Sequence, residues 1–365
     1  MVLTDQLRDE IEAGWTIPAE WYCDDEIFAV EQRNIFERSW QFVGRLEQVQ
    51  VPGDFITAVI GRVPVVVLRN RRGELAGFVN VCRHRCSEVV QGSGHRNSLQ
   101  CHYHAWTYDL DGRLISAPRS DREESFDKEE LCLEPVRVGS FGPFVFATVS
   151  ADAAPLADEL GELPARMRDD GLDLDELSFS QHGVWEVEAN WKIVVENYGE
   201  CYHCPVAHPS FSRLMEVDPD SYALESGEHW SRASTPLKTW REDRKPQLPY
   251  DPAGPVTQGQ FAYLWPNFTI VQNPGPMNAM AFYFVPLSPR RTKVVSEYFF
   301  DKDASPEVVK DMIEFNIAVG AEDQALVESV QRGMDSGRVR QGRLLLDSER
   351  LIQHFQRLVH GALSA

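Results

Sequence analysis

Two short cysteine–histidine motifs constrain this chain more than anything else in it. Cys82-Arg83-His84 and Cys101-His102-Tyr103-His104 are separated by sixteen residues. Each follows a short strand-like run, as expected when two loop tips pinch a metal centre. Any fold the chain adopts must bring those tips together. A tetrahedral zinc accepts two thiolates and two imidazoles, but its paired ligands are usually two to four residues apart, and Cys-x-His is closer. Two sulfide-bridged irons use the same donors differently, with both cysteines on one iron and both histidines on the other. Neutral imidazoles in place of two thiolates remove negative charge and raise the reduction potential.

A second constellation begins at Asn190-Trp191-Lys192 and runs from Glu196 to His208. On a continuous helix Glu196, Glu200 and His203 fall at i, i+4 and i+7, on one face. Pro205 would end that helix and let His208 turn back toward His203. Two imidazoles and one carboxylate on one side of an iron form a facial triad, with positions left open for dioxygen and substrate. The carboxylate must be distant in sequence. Asp323, in the stretch Glu322–Glu328, is one acid among several on a long helical pattern, where acids mostly face solvent. Cys201-Tyr202-His203-Cys204 also reads as C-x-x-C. A redox-disulfide motif needs its first cysteine at a helix N-terminus, whereas this one falls late in the expected helix.

The 365 residues suit two domains. Thirty-six Lys and Arg against 56 Asp and Glu leave a net charge of −20, a poor match to nucleic acid or anionic lipid. The uncharged run 261–289 is broken by Pro266, Pro274, Pro276 and Pro286, so no membrane span is expected. Charges at Asp5, Arg8, Asp9, Glu10 and Glu12 leave no visible secretory signal, and the seven cysteines read as thiols or metal ligands. The expected location is cytoplasmic. Residues 1–40 read as helical. Strand-like runs follow at 55–60, 63–68, 75–81 and 144–149, with tight turns at Arg72-Gly73 and Asp111-Gly112. A break rich in Ala, Pro, Asp and Glu spans 150–171. Strands then mix with helical patterns, the last two near 301–333 and 348–363. The expected organisation is α+β, with residues 1–40 an N-terminal helical part of a catalytic domain, 41–150 a β domain and 151–365 the catalytic domain proper.

Cys101-His102-Tyr103-His104-Ala105-Trp106 and the 190–208 segment resemble those of Rieske non-haem iron oxygenases, in the terminal (alpha) subunit, over nearly the whole chain. The family's usual first motif is Cys-Pro-His-Arg-Gly. Here it is Cys82-Arg83-His84-Arg85-Cys86, which leaves an extra thiol beside the cluster. Cys201-Tyr202-His203-Cys204, Gln341-Gly342-Arg343 and Glu200 are similar to the carnitine and glycine-betaine branch. The resemblance implies a small all-β Rieske domain inserted in a catalytic domain with an antiparallel sheet flanked by helices, helix-grip-like. It implies a Rieske [2Fe-2S] cluster on Cys82, His84, Cys101 and His104, and a mononuclear Fe(II) on His203, His208 and Asp323. It further implies a homotrimer in which Glu200 bridges His203 and His104 of the partner subunit.

The implied function is a terminal oxygenase using O2 and electrons from a separate NAD(P)H-dependent reductase. It would hydroxylate or oxidatively N-demethylate a small organic substrate, a quaternary amine or alternatively a small aromatic compound. A Rieske electron carrier without oxygenase activity is the alternative of another class, and the second histidine pair argues against it. No G-x-G-x-x-G lies between a strand and a helix, so the reductase is a different protein. The acidic charge would steer a basic docking face toward the chain. Alternating aromatics Tyr263, Trp265, Phe268, Phe282 and Phe284 offer a substrate pocket, with Tyr263, Trp265 and Phe282 foremost. They suit a cage for a trimethylammonium group or a stack on an aromatic ring, and pattern alone leaves both open.

Overall fold

The computed structural model describes residues 5–364. It divides into two compact units: Gln32–Leu156, and Met1–Glu31 together with Ala157–Ala365. The sequence-drawn borders at 40/41 and 150/151 thus move outward to 31/32 and 156/157. Trp40 shows why. Its indole donates to the Ala154 carbonyl (2.9 Å) and the Arg137 guanidinium lies 5.5 Å over its ring, so both flanks belong with the β unit.

The smaller unit is built on a seven-stranded antiparallel sheet. Its spatial order is Gln41–Arg45, Phe144–Thr148, Pro135–Phe141, Leu75–Val79, Val63–Arg69, Asp54–Ile60, Ser93–His95. The strand Val63–Arg69 is apolar at every central position because both faces are covered. Val65 and Val67 join a core with Ile56, Val136 and Val145, while Val66 and Leu68 join Phe55, Phe78, Trp106 and Tyr108 on the other side. The two-residue period of a strand separates the two cores. A three-stranded sheet, Leu99–Gln100, Thr107–Tyr108 and Leu114–Ser116, adds the second hairpin. Gly73 (φ +78°) and Gly112 (φ +80°) occupy left-handed positions in the turns read from the sequence.

The larger unit holds a second seven-stranded antiparallel sheet, in the order Leu177–Val187, Arg291–Asp301, Asn278–Ser288, Phe268–Gln272, Gln258–Leu264, Trp230–Pro236, Ala223–Ser226. The helix Pro306–Asp335 starts at its N-cap Ser305 with proline in the first turn, and buries Met312, Ile313 and Phe315 in a core shared with Met280, Tyr298 and Phe300. The helix Leu346–Ser364 packs beside the N-terminal segment: Gln353 donates to the Ile11 carbonyl (2.8 Å) and Gln356 accepts from the Ile17 amide (3.1 Å). No helix among the described residues is long and apolar enough to cross a membrane.

Candidate active site

The first motif pair folds into two near-identical loops. The Cys86 amide donates to the Cys82 carbonyl and the Ala105 amide to the Cys101 carbonyl, both at 3.0 Å. Cys86 and Ala105, which close them, sit at φ +56° and +58°. That left-handed conformation is why a glycine is at home where Cys86 stands. Cys82 and Cys101 are buried in the core with Trp106 and Tyr108. Their thiols lie in hydrogen-bonding reach of each other. Tyr108 accepts the Arg83 amide (2.9 Å), leaving its hydroxyl proton for the Cys82 sulfur at 3.4 Å. Burial, and then the neighbouring Cys101, push the Cys82 thiol up, against opposing help from Tyr108 and the backbone.

His84 and His104 are exposed, with ring centroids 4.6 Å apart. Sulfurs point inward and imidazoles outward. A tetrahedral zinc with bonds of about 2.0–2.3 Å would draw all four donors to within about 4 Å of each other. Two buried sulfurs on one side and two exposed imidazoles on the other suit a pair of bridged irons, the cysteines on one and the histidines on the other.

The second constellation departs from the single helix face expected. Asn190 caps the helix Trp191–Tyr198 by accepting the Lys192 amide (3.0 Å), and Glu31 pins its first turn through Trp191 (2.8 Å) and Lys192 (2.5 Å). The helix stops at Gly199. The Glu200 carboxylate then takes the backbone amides of Tyr202 and His203, a local turn that competes with helical hydrogen bonding. Pro205 does not end a helix. It lies in the first turn of a new one, Cys204–Ala207, where its missing N–H costs nothing. Glu196 consequently leaves the ligand face. It sits half-buried against Tyr22 (2.7 Å) and Gln356 (2.8 Å), and loss of solvent raises its carboxyl to about 7 against those hydrogen bonds and the Lys192 charge.

The reversal of the chain brings His203 and His208 together, with Nε2 atoms 3.0 Å apart. From the helix Pro306–Asp335, Asp323 places Oδ1 3.0 Å from His208 Nε2 and 3.4 Å from His203 Nε2. Donors bound at about 2.1 Å and at right angles to one metal are about 3.0 Å apart, so the three fit one face of an octahedral iron. Each imidazole is held from behind. Glu200 Oε1 meets His203 Nδ1 at 2.5 Å, and Glu322 Oε2 meets His208 Nδ1 at 2.8 Å. Carboxylates accept only, so both Nδ1 atoms carry hydrogen, and each Nε2 is left to give its lone pair to a metal once its own proton is displaced. Without metal, burial opposes protonation of His203, but Asp323 and Glu200 more than offset it and hold the imidazole up at about 9. His208 is raised and Asp323 lowered by the same pairing, each against burial.

Glu322 is the residue the sequence reading passed over. Its signal was its position beside Asp323, one helical residue around from the ligand. Cys201 and Cys204 also differ from the expected free thiols: they form a disulfide, their Cα atoms 5.0 Å apart across the turn that follows the helix. Cys204 Sγ lies 3.9 Å from His203 Nε2, but its sulfur is committed to Cys201.

Residues 39–133 match the Rieske [2Fe-2S] domain and residues 172–365 the ring hydroxylating alpha subunit (catalytic domain). The chain belongs to the Rieske non-haem iron oxygenases. It is 33% identical to the carnitine monooxygenase oxygenase subunit of Acinetobacter pittii, over 95% of each chain. It is 32% identical to the chloroplastic choline monooxygenase of Beta vulgaris, over 96% of this chain and 78% of that one. The solved quaternary ammonium Rieske monooxygenase CntA with L-carnitine aligns at a TM-score of 0.85 and 31% identity, covering 99% of both chains. Naphthalene 1,2-dioxygenase from a Rhodococcus species, at 21% identity and a TM-score of 0.80, shares the fold. As an oxygenase subunit the protein carries a Rieske cluster and a mononuclear iron, and works with O2, a substrate and a separate reductase.

Beside the His203–His208–Asp323 centre the oxygenase has a cavity of about 490 Å³. Tyr263, Phe282 and Phe284 line it. Trp265 and Phe268 do not. Trp265 packs its ring 6.2 Å from that of Phe355, and Phe268 pairs with Leu264 and Tyr283 inside the sheet. Strand alternation cannot tell which of two apolar faces carries the cavity. Trp185 and Tyr298 line it as well, from the strands Leu177–Val187 and Arg291–Asp301 outside the run 263–284, and Phe261 joins them from the strand that carries Tyr263.

Proposed function

We propose that this oxygenase inserts one oxygen atom of O2 into a C–H bond next to the nitrogen of a small quaternary amine, and that its second oxygen leaves as water. Two electrons and two protons balance that step. Collapse of the resulting carbinolamine breaks the C–N bond and releases an aldehyde and an amine. The observation that carries the reading is the convergence of His203 Nε2, His208 Nε2 and Asp323 Oδ1 within 3.0–3.4 Å beside an aromatic-walled cavity. Relatives named for carnitine and choline supply the amine class.

When bound, iron at this centre supplies dioxygen activation and the cluster supplies single electrons. His203, His208 and Asp323 hold the iron. Cys82, His84, Cys101 and His104 hold the cluster. Glu322 fixes the His208 ring, and the cavity walls keep water from the reacting carbon. Glu200 links the sites: it holds His203 Nδ1 and passes electrons on from His104 of the partner subunit in a homotrimer. The exposure of His84 and His104 supports that role, since electrons must leave the cluster toward another subunit. A separate NAD(P)H-dependent reductase docks by charge, so turnover falls as salt screens a −20 chain.

The test is the reconstituted enzyme with a Rieske-system reductase. Trimethylamine or formaldehyde should form in step with NADH and O2 consumption when a trimethylammonium compound is added. Turnover of small aromatics with no amine oxidation would overturn the reading.

A further inference from the structure

We propose that the quaternary amine accepted here has an uncharged tail, an alcohol, amide or alkyl group, rather than a carboxylate. This rests on the amine reading above. Among the described residues that line the cavity the acids are Glu200 and Asp323 and the imidazoles His203 and His208, all placed in the metal centre or behind it. No lysine or arginine is among them. The remaining polar lining is neutral, with Gln181, Ser231, Asn273 and Asn316 among it. With the iron's two charges already met by Asp323 and Glu200, a carboxylate carried into this space exchanges water for a wall with no lysine or arginine to receive it.

Two further features favour a cation with a neutral tail. The rings of Trp185 and Tyr298 stand nearly perpendicular to Phe282, at 80° and 82°, with both centroids 6.4 Å from it. Aromatic planes set at right angles form a corner of the kind that receives a quaternary ammonium. The Tyr222 hydroxyl, also in the lining, is buried with no hydrogen-bond partner. Glu200 acts on that phenol through space. A carboxylate placed against Tyr222 would therefore face a like charge, whereas a hydroxyl or amide would satisfy the orphaned group and meet no repulsion. Sites built to hydrogen-bond a neutral group discriminate sharply against substrates that leave it unpaired.

The experiment compares pairs that differ only in tail charge: L-carnitine with L-carnitine amide, and glycine betaine with choline. Holoenzyme and reductase give kcat/KM from amine or aldehyde release, and calorimetry on the anaerobic holoenzyme gives affinity without turnover. The neutral member of each pair should lead by about 100-fold or more in both measures. Tyr222→Phe should shrink the preference for choline over ethyltrimethylammonium by about 10-fold and lower the preference over glycine betaine by no more than that, because the lining still offers the carboxylate no lysine or arginine. Equal or better use of the carboxylates would overturn the inference and leave the amine reading standing. If no member of any pair binds or reacts while a small aromatic is hydroxylated, the amine reading falls and this inference with it.

Discussion

The two candidate metal sites differ in what stands behind their imidazoles. In the cluster loops the rings are exposed and backed by aromatics: His84 stacks on Trp106 at 4.8 Å and 10°, and Tyr103 lies 3.9 Å from His104. In the catalytic unit His203 and His208 are backed by the carboxylates of Glu200 and Glu322, and His208 is almost wholly buried. An aromatic backing holds a ring still without adding charge, which suits a site meant to gain and lose electrons at the surface. A carboxylate backing makes the imidazole a stronger ligand and fixes its tautomer, which suits a site that must keep its metal while substrates come and go. The donors follow the same division. The four candidate cluster donors come from two local loops, while the candidate triad joins a turn to a helix more than a hundred residues away.

The sharpest way to break this division is His203→Ala. Product formation should fall at least about 1,000-fold while the visible cluster spectrum stays intact, because the two sites share no ligand. Loss of the spectrum would end the division outright. Next in size is Glu200→Gln, which keeps volume but removes charge. Both metals should stay bound, and stopped-flow oxidation of the reduced cluster in a single turnover should slow by about 100-fold. Near-normal rates would remove Glu200 from the electron route.

Glu322→Gln tests carboxylate backing alone. Iron retention against a chelator should weaken by about 10-fold, with the cluster untouched. The pH dependence has a definite sign. In the metal-free protein His203 is protonated below about 9 and His208 is raised as well, so iron must displace protons. Iron affinity should therefore fall as pH drops from about 9. The metal-free fold behaves oppositely: stabilisation by the paired, protonated His203 is full below the unfolded imidazole's ordinary range and is lost as pH rises through about 9. Chelator competition and thermal melts at matched pH values separate the two. The smallest effect belongs to Cys86→Gly, which relieves a left-handed φ of +56° and should stabilise the cluster loop by about 0.5–1 kcal/mol after glycine's own entropic cost, read as slower thermal bleaching.

What the sequence made legible follows the same contrast. Cys82, His84, Cys101 and His104 were readable because the loops around them are local and short. The strands 54–60 and 63–69 were readable because β-branched runs act over a few residues. The structure brings His203, His208 and Asp323 together, but the helix face drawn through Glu196 and Glu200 was an accident of spacing. Gly199 and the Glu200 turn end the helix before that face can form. Glu322 and Trp185 stayed hidden because their roles depend on tertiary neighbours that no local pattern encodes. Trp265 shares the parity of Tyr263 but falls outside the cavity because the strand ends at Leu264 and Trp265 lies in the turn beyond it, a boundary that alternation does not mark.

The hydrogen bond from Gln353 to the Ile11 carbonyl joins residues 342 positions apart. At about 5–20 residues per second, the N-terminal segment waits roughly 17–70 s on the ribosome before its partner helix exists. The unit Gln32–Leu156 emerges whole within that interval and draws its sheets only from its own residues. Its loops can close and accept a cluster while Leu7, Ile11 and Ile17, all buried in the finished protein, still have no core to enter. Synthesis order thus lets the unit that carries the cluster motifs complete its sheets before the helix that carries Asp323 exists.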